Sequence, residues 1–303
     1  MVTRHYVMTW DLERCVGCQM GPLVCPKGSV LPQEGSIENG KLVKRPSIDI
    51  DAETCVLCGV CVVTCPTNAI SIMINGKTEN PSVNTGAFPE LMKSTEFNKS
   101  IFDWSLKDFV ITNCPTDAIS LDEDKDTLIV DMGKCIHCRQ CEIAAKGAFQ
   151  VNQPWVGSVS LQREKCVPGC QACADICPTR ALHLDEDGEL ILADYYCIKC
   201  GACMQVCPVK PEYEQVDHTV ESHGITKVIS HKIIKNAPDL PIYVERWRVR
   251  HAPVSSGTWT ESLRKMADDK AGAVEIDQKR ALKRRDLLKA LRGSRIYFSD
   301  LDE

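Results

Sequence analysis

Nineteen cysteines stand in this chain of 303 residues, and their spacing repeats one run, C-x2-C-x2-C-x3-C-P, in six copies of unequal completeness. Two copies are whole: Cys55, Cys58, Cys61, Cys65-Pro66 and Cys197, Cys200, Cys203, Cys207-Pro208. A third, Cys166, Cys170, Cys173, Cys177-Pro178, carries one extra residue in its first gap. Three thiolates this close can hold one iron-sulfur cubane while the fourth reaches across to a neighbouring cluster, so such runs work in pairs and point to electron transfer. Zinc is the simpler alternative for paired C-x2-C units. The spacing argues against it, because zinc knuckles lie far apart, whereas here three cysteines crowd together and the fourth cannot easily close on its own triplet.

Pairing neighbouring runs gives the expected ligand sets. In the last pair, Cys166, Cys170, Cys173 and Cys207 are expected to hold one 4Fe-4S cluster, and Cys197, Cys200, Cys203 and Cys177 the other. In the middle pair, aligning on Cys114 puts Trp104, Lys107 and Val110 at the upstream ligand positions, and aligning on Cys135, Cys138 and Cys141 puts Ala145 at the fourth. Every lost ligand belongs to one cluster. The survivors, Cys135, Cys138, Cys141 and Cys114, still make a full set, and Trp104 reads as a core aromatic. In the first pair Cys55, Cys58, Cys61 and Cys25 are complete, while Cys15, Cys18 and Cys65 stand alone with Gly21 at the missing position. Three thiolates suit a 3Fe-4S cluster or a 4Fe-4S cluster with a different last ligand, and an empty site is the plain alternative. The expectation is four 4Fe-4S clusters plus a fifth, three-cysteine centre.

Each pair of runs resembles the bacterial-type ferredoxin module. The resemblance implies an α+β fold in which short strand pairs flank two small helices, each helix starting near the fourth cysteine and its proline, where the first helical turn needs no amide. The tails Cys65-Pro-Thr-Asn-Ala-Ile, Cys114-Pro-Thr-Asp-Ala-Ile and Cys177-Pro-Thr-Arg-Ala-Leu agree with one another. Three tandem modules follow, at 1–78, 100–152 (single cluster) and 153–212. A connector at 79–99 is broken by Pro81, Gly86 and Pro89, and 213–303 is a cysteine-free arm and helical tail suited to subunit docking. Within the loops, Gly17, Gly59, Gly169 and Gly201 let backbone approach a cluster, and Val56, Val60, Ile136, Ile198 and Val206 offer apolar cover. His137, inside a cysteine triplet, is expected to face solvent, Tyr195 and Tyr196 to pack at a strand end, and Lys199 and Arg139 to be solvated. In the tail, stretches near Lys227 and Ile242 alternate as short strands, and Trp259 to Leu291 is helical in pattern with an apolar stripe of Leu282, Leu288 and Leu291.

Composition narrows the class. Hydrophobic residues make up 44% and aromatics only 6%, thin for a large enzyme core and better suited to small cluster-pinned units. The odd cysteine count, with no secretory leader and no apolar run long enough for a bilayer, places the expected compartment as reducing and cytoplasmic. Residues 1–210 hold 19 basic against 26 acidic side chains. No phosphate-cradling glycine loop, dinucleotide fingerprint or nucleophile motif is present, so no catalytic residue is expected. Across 1–210 the chain resembles archaeal polyferredoxins. The runs Asp51-Ala-Glu-Thr-Cys-Val-Leu-Cys-Gly-Val-Cys, Ala87-Phe-Pro-Glu-Leu, Cys166-Val-Pro-Gly-Cys and Arg248-Val-Arg-His-Ala-Pro-Val-Ser-Ser-Gly-Thr-Trp look like the polyferredoxin subunit family of formylmethanofuran dehydrogenase. That resemblance implies an anaerobic molybdenum or tungsten enzyme complex of one-carbon metabolism and methanogenesis, served by this subunit and soluble electron carriers. Electron-transfer subunits of hydrogenase or heterodisulfide reductase assemblies are the nearest alternative. A cluster-stapled structural or nucleic-acid-binding protein, using the basic tail, is the alternative from another class.

Overall fold

A computed structural model describes residues 5–222 and 225–251; the helical pattern expected from Trp259 to Leu291 lies outside the described residues. Seven short helices occur among them: α1 (Met20–Val24), α2 (Val60–Thr64), α3 (Pro81–Asn84), α4 (Lys107–Thr112), α5 (Gln140–Ala144), α6 (Ala172–Ile176) and α7 (Ala202–Val206). All but α3 and α4 run from the residue before the third position of a cysteine run to the residue before the fourth, and α4 lies ahead of Cys114. This corrects the expectation that helices begin at the fourth cysteine. They end there. Cys25, Cys65, Cys177 and Cys207 are C-caps with extended backbone, ψ between 112 and 130 degrees, because a proline forces the residue before it out of the helical region.

The first two modules share one plan. Strand Tyr6–Trp10 pairs antiparallel with Ile70–Ile74, and Ser94–Phe97 with Phe149–Asn152, so the strand entering each module meets the strand leaving it. The second of these entry strands lies inside the stretch expected to be a plain connector. An inner pair joins the two runs, Val30–Gln33 with Ser47–Ile50 in the first module and Ile119–Asp122 with Thr127–Val130 in the second. Where the middle module has lost its ligands, apolar packing takes over: Val110 and Ala145 are buried in one core with Phe102 and Phe149, and Phe97 and Trp104 pack against it. Trp104 meets Phe102 edge-on at 5.2 Å between ring centroids, a core aromatic as read from the sequence.

The third module closes differently. Its entry strand, Trp155–Leu161, pairs with Ile242–Val249, and a long hairpin, Tyr213–Ser222 with Ile225–Ile234, is inserted between Cys207 and that closing strand. The module therefore extends beyond residue 212, and Leu240, Ile242 and Val244 belong to its core. In three other runs the residue four places after the fourth cysteine gives its amide to that thiol, Ser29 to Cys25 Sγ at 3.2 Å, Ala69 to Cys65 Sγ at 3.2 Å and Ala118 to Cys114 Sγ at 3.2 Å. At the matching place after Cys207 stands Pro211, which has no amide to give.

Module one touches both others. Its hairpin Ser36–Glu38 with Lys41–Lys44 lies against the Cys166 run: Gln171 donates its amide to the carbonyl of Gly40 at 2.8 Å, and Leu42 donates its amide to Asp175 Oδ2 at 2.9 Å. On the other side Arg14 Nη2 donates to the carbonyl of Gly133 at 2.6 Å, and Asn68 Nδ2 to that of Cys135 at 2.9 Å.

Candidate metal centres

The loops between cysteines have a repeated backbone signature. Two left-handed residues follow the first cysteine of a run at the second and fourth positions: Gly17 and Gln19, Leu57 and Gly59, His137 and Arg139, Lys199 and Gly201. This winding turns amides inward, as where Lys199 donates its amide to Cys197 Sγ at 3.4 Å, forming a concave set of N–H groups suited to an anion. The widened Cys166 run departs from the pattern, with Gly169 as its left-handed residue and Gln171 at φ −122 degrees.

Four cavities are each walled by four cysteines drawn from paired runs. One is lined by Cys25, Cys55, Cys58 and Cys61. Another is lined by Cys114, Cys135, Cys138 and Cys141. The other two are lined by Cys177, Cys197, Cys200 and Cys203, and by Cys166, Cys170, Cys173 and Cys207. All nineteen thiols are free, so none is consumed in a disulfide.

The donor chemistry fits a cluster with sulfide corners. Soft thiolates suit iron-sulfur ligation, and they stand around a volume, whereas a mononuclear ion needs its donors drawn to a point. Ser29, which lines the Cys25 cavity, is buried with its hydroxyl lacking a hydrogen-bond partner in the protein; a cluster sulfide there would accept it, resolving an otherwise costly buried donor.

Electrostatics follow from burial. Loss of solvation pushes the thiols of Cys18, Cys61, Cys138 and Cys173 up to about 12, with neighbouring cysteines adding to the rise. Cys25 goes the other way. Burial opposes ionisation there, but amides from Lys27, Val30 and Ser29 outweigh it and hold the thiol below its ordinary value.

The three remaining sequence candidates also gather, since Cys15 and Cys65 lie in one buried core and both act electrostatically on Cys18. Gly21 faces apolar neighbours, with a Cβ there 3.0 Å from Val30 Cγ1 and 4.0 Å from Ile70 Cδ1. His137 does not face solvent as expected. It is buried at 4% exposure, its Nδ1 is 3.1 Å from Thr95 Oγ1, and burial followed by the charge of Lys93 lowers its pKa to about 4. Ile136, Ile198 and Val206 are buried as apolar cover, whereas Val56 lines its cavity at 53% exposure. Tyr195 and Tyr196 stack edge-on against each other at 4.3 Å. Arg139 pairs with Glu142 at 2.6 Å, and Lys199 Nζ donates to the carbonyls of Cys197 and Asp194.

Sequence reasoning missed Thr95, Lys93, Asn68 and Arg246. Thr95 Oγ1 sits 3.3 Å from Cys135 Sγ, and Arg246 Nη1 donates to the carbonyls of Lys199 and Cys200 at 2.7 and 3.0 Å. No motif marks them, because each lies outside the cysteine run whose centre it reaches.

Comparison with known proteins agrees with this chemistry. Residues 165–210 match the family model for a 4Fe-4S dicluster domain, and 48–71 that for a 4Fe-4S binding domain. A tetrathionate reductase subunit of Archaeoglobus fulgidus is 34% identical over 98 residues, covering 28% of this chain and 46% of that protein. The aliphatic sulfonate oxidoreductase polyferredoxin-like subunit of Pyrococcus furiosus is 29% identical over 100 residues, covering 29% of this chain and 57% of that protein. The chain spans about half the length of the curated relatives it matches. Both are named as subunits, one of a tetrathionate reductase and the other, polyferredoxin-like, of an aliphatic sulfonate oxidoreductase. A protein in the formate dehydrogenase, heterodisulfide reductase and formylmethanofuran dehydrogenase complex of Methanospirillum hungatei shares the fold, with a TM-score of 0.58 and 22% identity, covering 83% of this chain and 82% of that one. Among the described residues no helix is long and apolar enough to cross a membrane.

Proposed function

We propose that this chain is a multi-cluster electron-transfer subunit that wires the active site of a partner oxidoreductase to other electron carriers. The observation that carries the reading is the set of four separate cavities, each walled by four thiols contributed by two paired runs. Iron-sulfur clusters held there would supply one-electron redox chemistry without atom transfer. The protein's own share is to bind, insulate and tune: thiolates ligate, left-handed loops aim amides at sulfur, and buried side chains keep water away.

The proposed ligand sets are Cys25 with Cys55, Cys58 and Cys61; Cys114 with Cys135, Cys138 and Cys141; Cys207 with Cys166, Cys170 and Cys173; and Cys177 with Cys197, Cys200 and Cys203. Cys15, Cys18 and Cys65 form a fifth centre with three protein ligands. The partner we favour is a formylmethanofuran dehydrogenase assembly, supported by the motif resemblance across 1–210 and by the shared fold with a protein in a complex of that kind. Cytoplasmic location belongs to the same proposal.

Isolation of the intact complex without oxygen, with subunits identified and iron counted, tests all of this. About sixteen irons are expected from the complete sets and about nineteen or twenty with the fifth centre filled. Reversible bleaching and recovery through a redox titration is expected as well. A colourless, zinc-loaded protein would end the proposal, and co-purification with a hydrogenase would keep the wiring role while replacing the partner.

A further inference from the structure

One hydrogen bond joins the walls of two four-cysteine cavities that belong to different modules. Gln140, on α5 between Cys138 and Cys141, lines the Cys135 cavity. Thr179, two residues after Cys177, lines the Cys197 cavity. Gln140 Nε2 donates to the carbonyl of Thr179, and both residues are buried, at 8% and 1% exposure. Each partner stands next to a thiol of its own cavity. Gln140 is joined by its peptide bond to Cys141, and Thr179 Oγ1 lies 3.6 Å from Cys177 Sγ.

The repeat does not account for this glutamine. The residue before the third position of the other runs is Met20, Val60, Ala172 or Ala202, so an apolar side chain meets the packing needs of that place. A buried amide costs free energy unless it is bonded, and here the bond crosses to another module. The acceptor side, in contrast, is common to several runs, since Thr67 and Thr116 occupy the place of Thr179. Around the bond the two modules share one apolar core, in which Ile136 and Cys138 are buried with Ile198, Cys200 and Cys203.

We propose that the hydrogen bond from Gln140 to Thr179 is the bridge that carries electrons between the Cys135 centre of the middle module and the Cys197 centre of the third. This rests on the reading that both cavities hold clusters. Electron tunnelling weakens less steeply along covalent and hydrogen bonds than across van der Waals gaps. The route Cys141, Gln140, Thr179, Pro178, Cys177 contains that single hydrogen bond and is otherwise covalent. Each passage oxidises one centre by one electron and reduces the other by one, and the amide proton stays on Nε2.

The test uses the full-length, cluster-loaded protein kept free of oxygen, with iron counted first. Cys138→Ser and Cys200→Ser, each changing one ligand, assign the electron paramagnetic resonance signals of the two centres. After flash reduction by less than one electron per chain, freeze-quenching follows how fast these two signals reach their equilibrium ratio. Gln140→Met, which keeps the length of the side chain and removes its donor, is expected to slow that approach several-fold at unchanged iron content. Gln140→His, whose ring holds an N–H at similar reach, is expected to recover most of the rate. In the fully reduced protein the broadening of one signal by the other reports the distance between the centres, and it is expected to stay as in wild type in both variants. An unslowed Gln140→Met overturns the bridge and leaves transfer to the apolar core around Ile136 and Ile198. Slowing together with lost broadening overturns it as well, since the modules have then parted. If Gln140→Met loads less iron, Gln140→Asn, an amide too short to reach Thr179, replaces it in the same comparison. A wild-type iron count too low to fill both cavities brings down the cluster reading, and the bridge with it.

Discussion

Asn68 Nδ2 lies 2.9 Å from the carbonyl oxygen of Cys135, so a residue in the turn after one cysteine run is bonded to the first ligand of a different module. Asn68 holds this position with φ at 51 degrees, a left-handed conformation asparagine tolerates better than most residues. Replacing it by glycine keeps the turn and removes the bridge. Asn68→Gly is expected to cost about 1 kcal/mol and to speed amide exchange from 133 to 138 while the first module's own amides keep their protection. Unchanged exchange there would mean the bridge does not couple the modules.

Gly40 is a second contact between modules. At φ 76 degrees it sits with its Cα against Gly169 and Cys170, and a Cβ would overlap the carbonyl oxygen of Gly169. Gly40→Ala is expected to destabilise the docked hairpin by about 1–3 kcal/mol, opening 36–44 to limited proteolysis. Wild-type protease resistance in that variant would contradict the contact.

The middle module relies on carbon where its relatives within the chain rely on cysteine. Phe149 is fully buried against Phe97 at 4.8 Å between centroids. Phe149→Ala is expected to cost about 3–5 kcal/mol and to cause loss of iron from the Cys135 set ahead of the other sets on mild heating. Uniform loss across all sets would argue that this aromatic core carries no special share.

Thiols raised to about 12 at Cys18, Cys61, Cys138 and Cys173 remain protonated at neutral pH until something replaces the proton. Iron takes that place, so cluster assembly releases protons and is favoured as pH rises towards those values. Iron retention is therefore expected to fall as pH is lowered, with proton uptake measurable when chelator strips the protein near neutral pH. Stripping without proton uptake would contradict ligation of iron by these thiolates.

The grouping of thiols around common cavities was legible because spacing dictates which of them can share a volume, and the missing cysteines of the middle pair were legible because Trp104, Lys107, Val110 and Ala145 all map to one side. The helix ends were misplaced by crediting Pro66 and its equivalents with starting a helix, when their stronger effect is on the cysteine before them. The late closing strand coincides with Pro211, standing where Ser29, Ala69, Ala118 and Ala181 occupy the other runs. Lys93, Thr95 and Arg246 left no such trace, since charge placement across modules depends on packing that no local pattern encodes.

The closing strand of the third module has a consequence for how the chain is made. Ile242 lines the Cys166 cavity and Val244 the Cys197 cavity, so on the ribosome these two chambers stay open on one wall until synthesis has passed them. The first two modules, whose strands are complete by residue 152, can take up inorganic cargo while translation continues. Truncation before Ile242 is expected to leave the Cys166 and Cys197 cavities open on one wall while the paired strands of the first two modules stay complete.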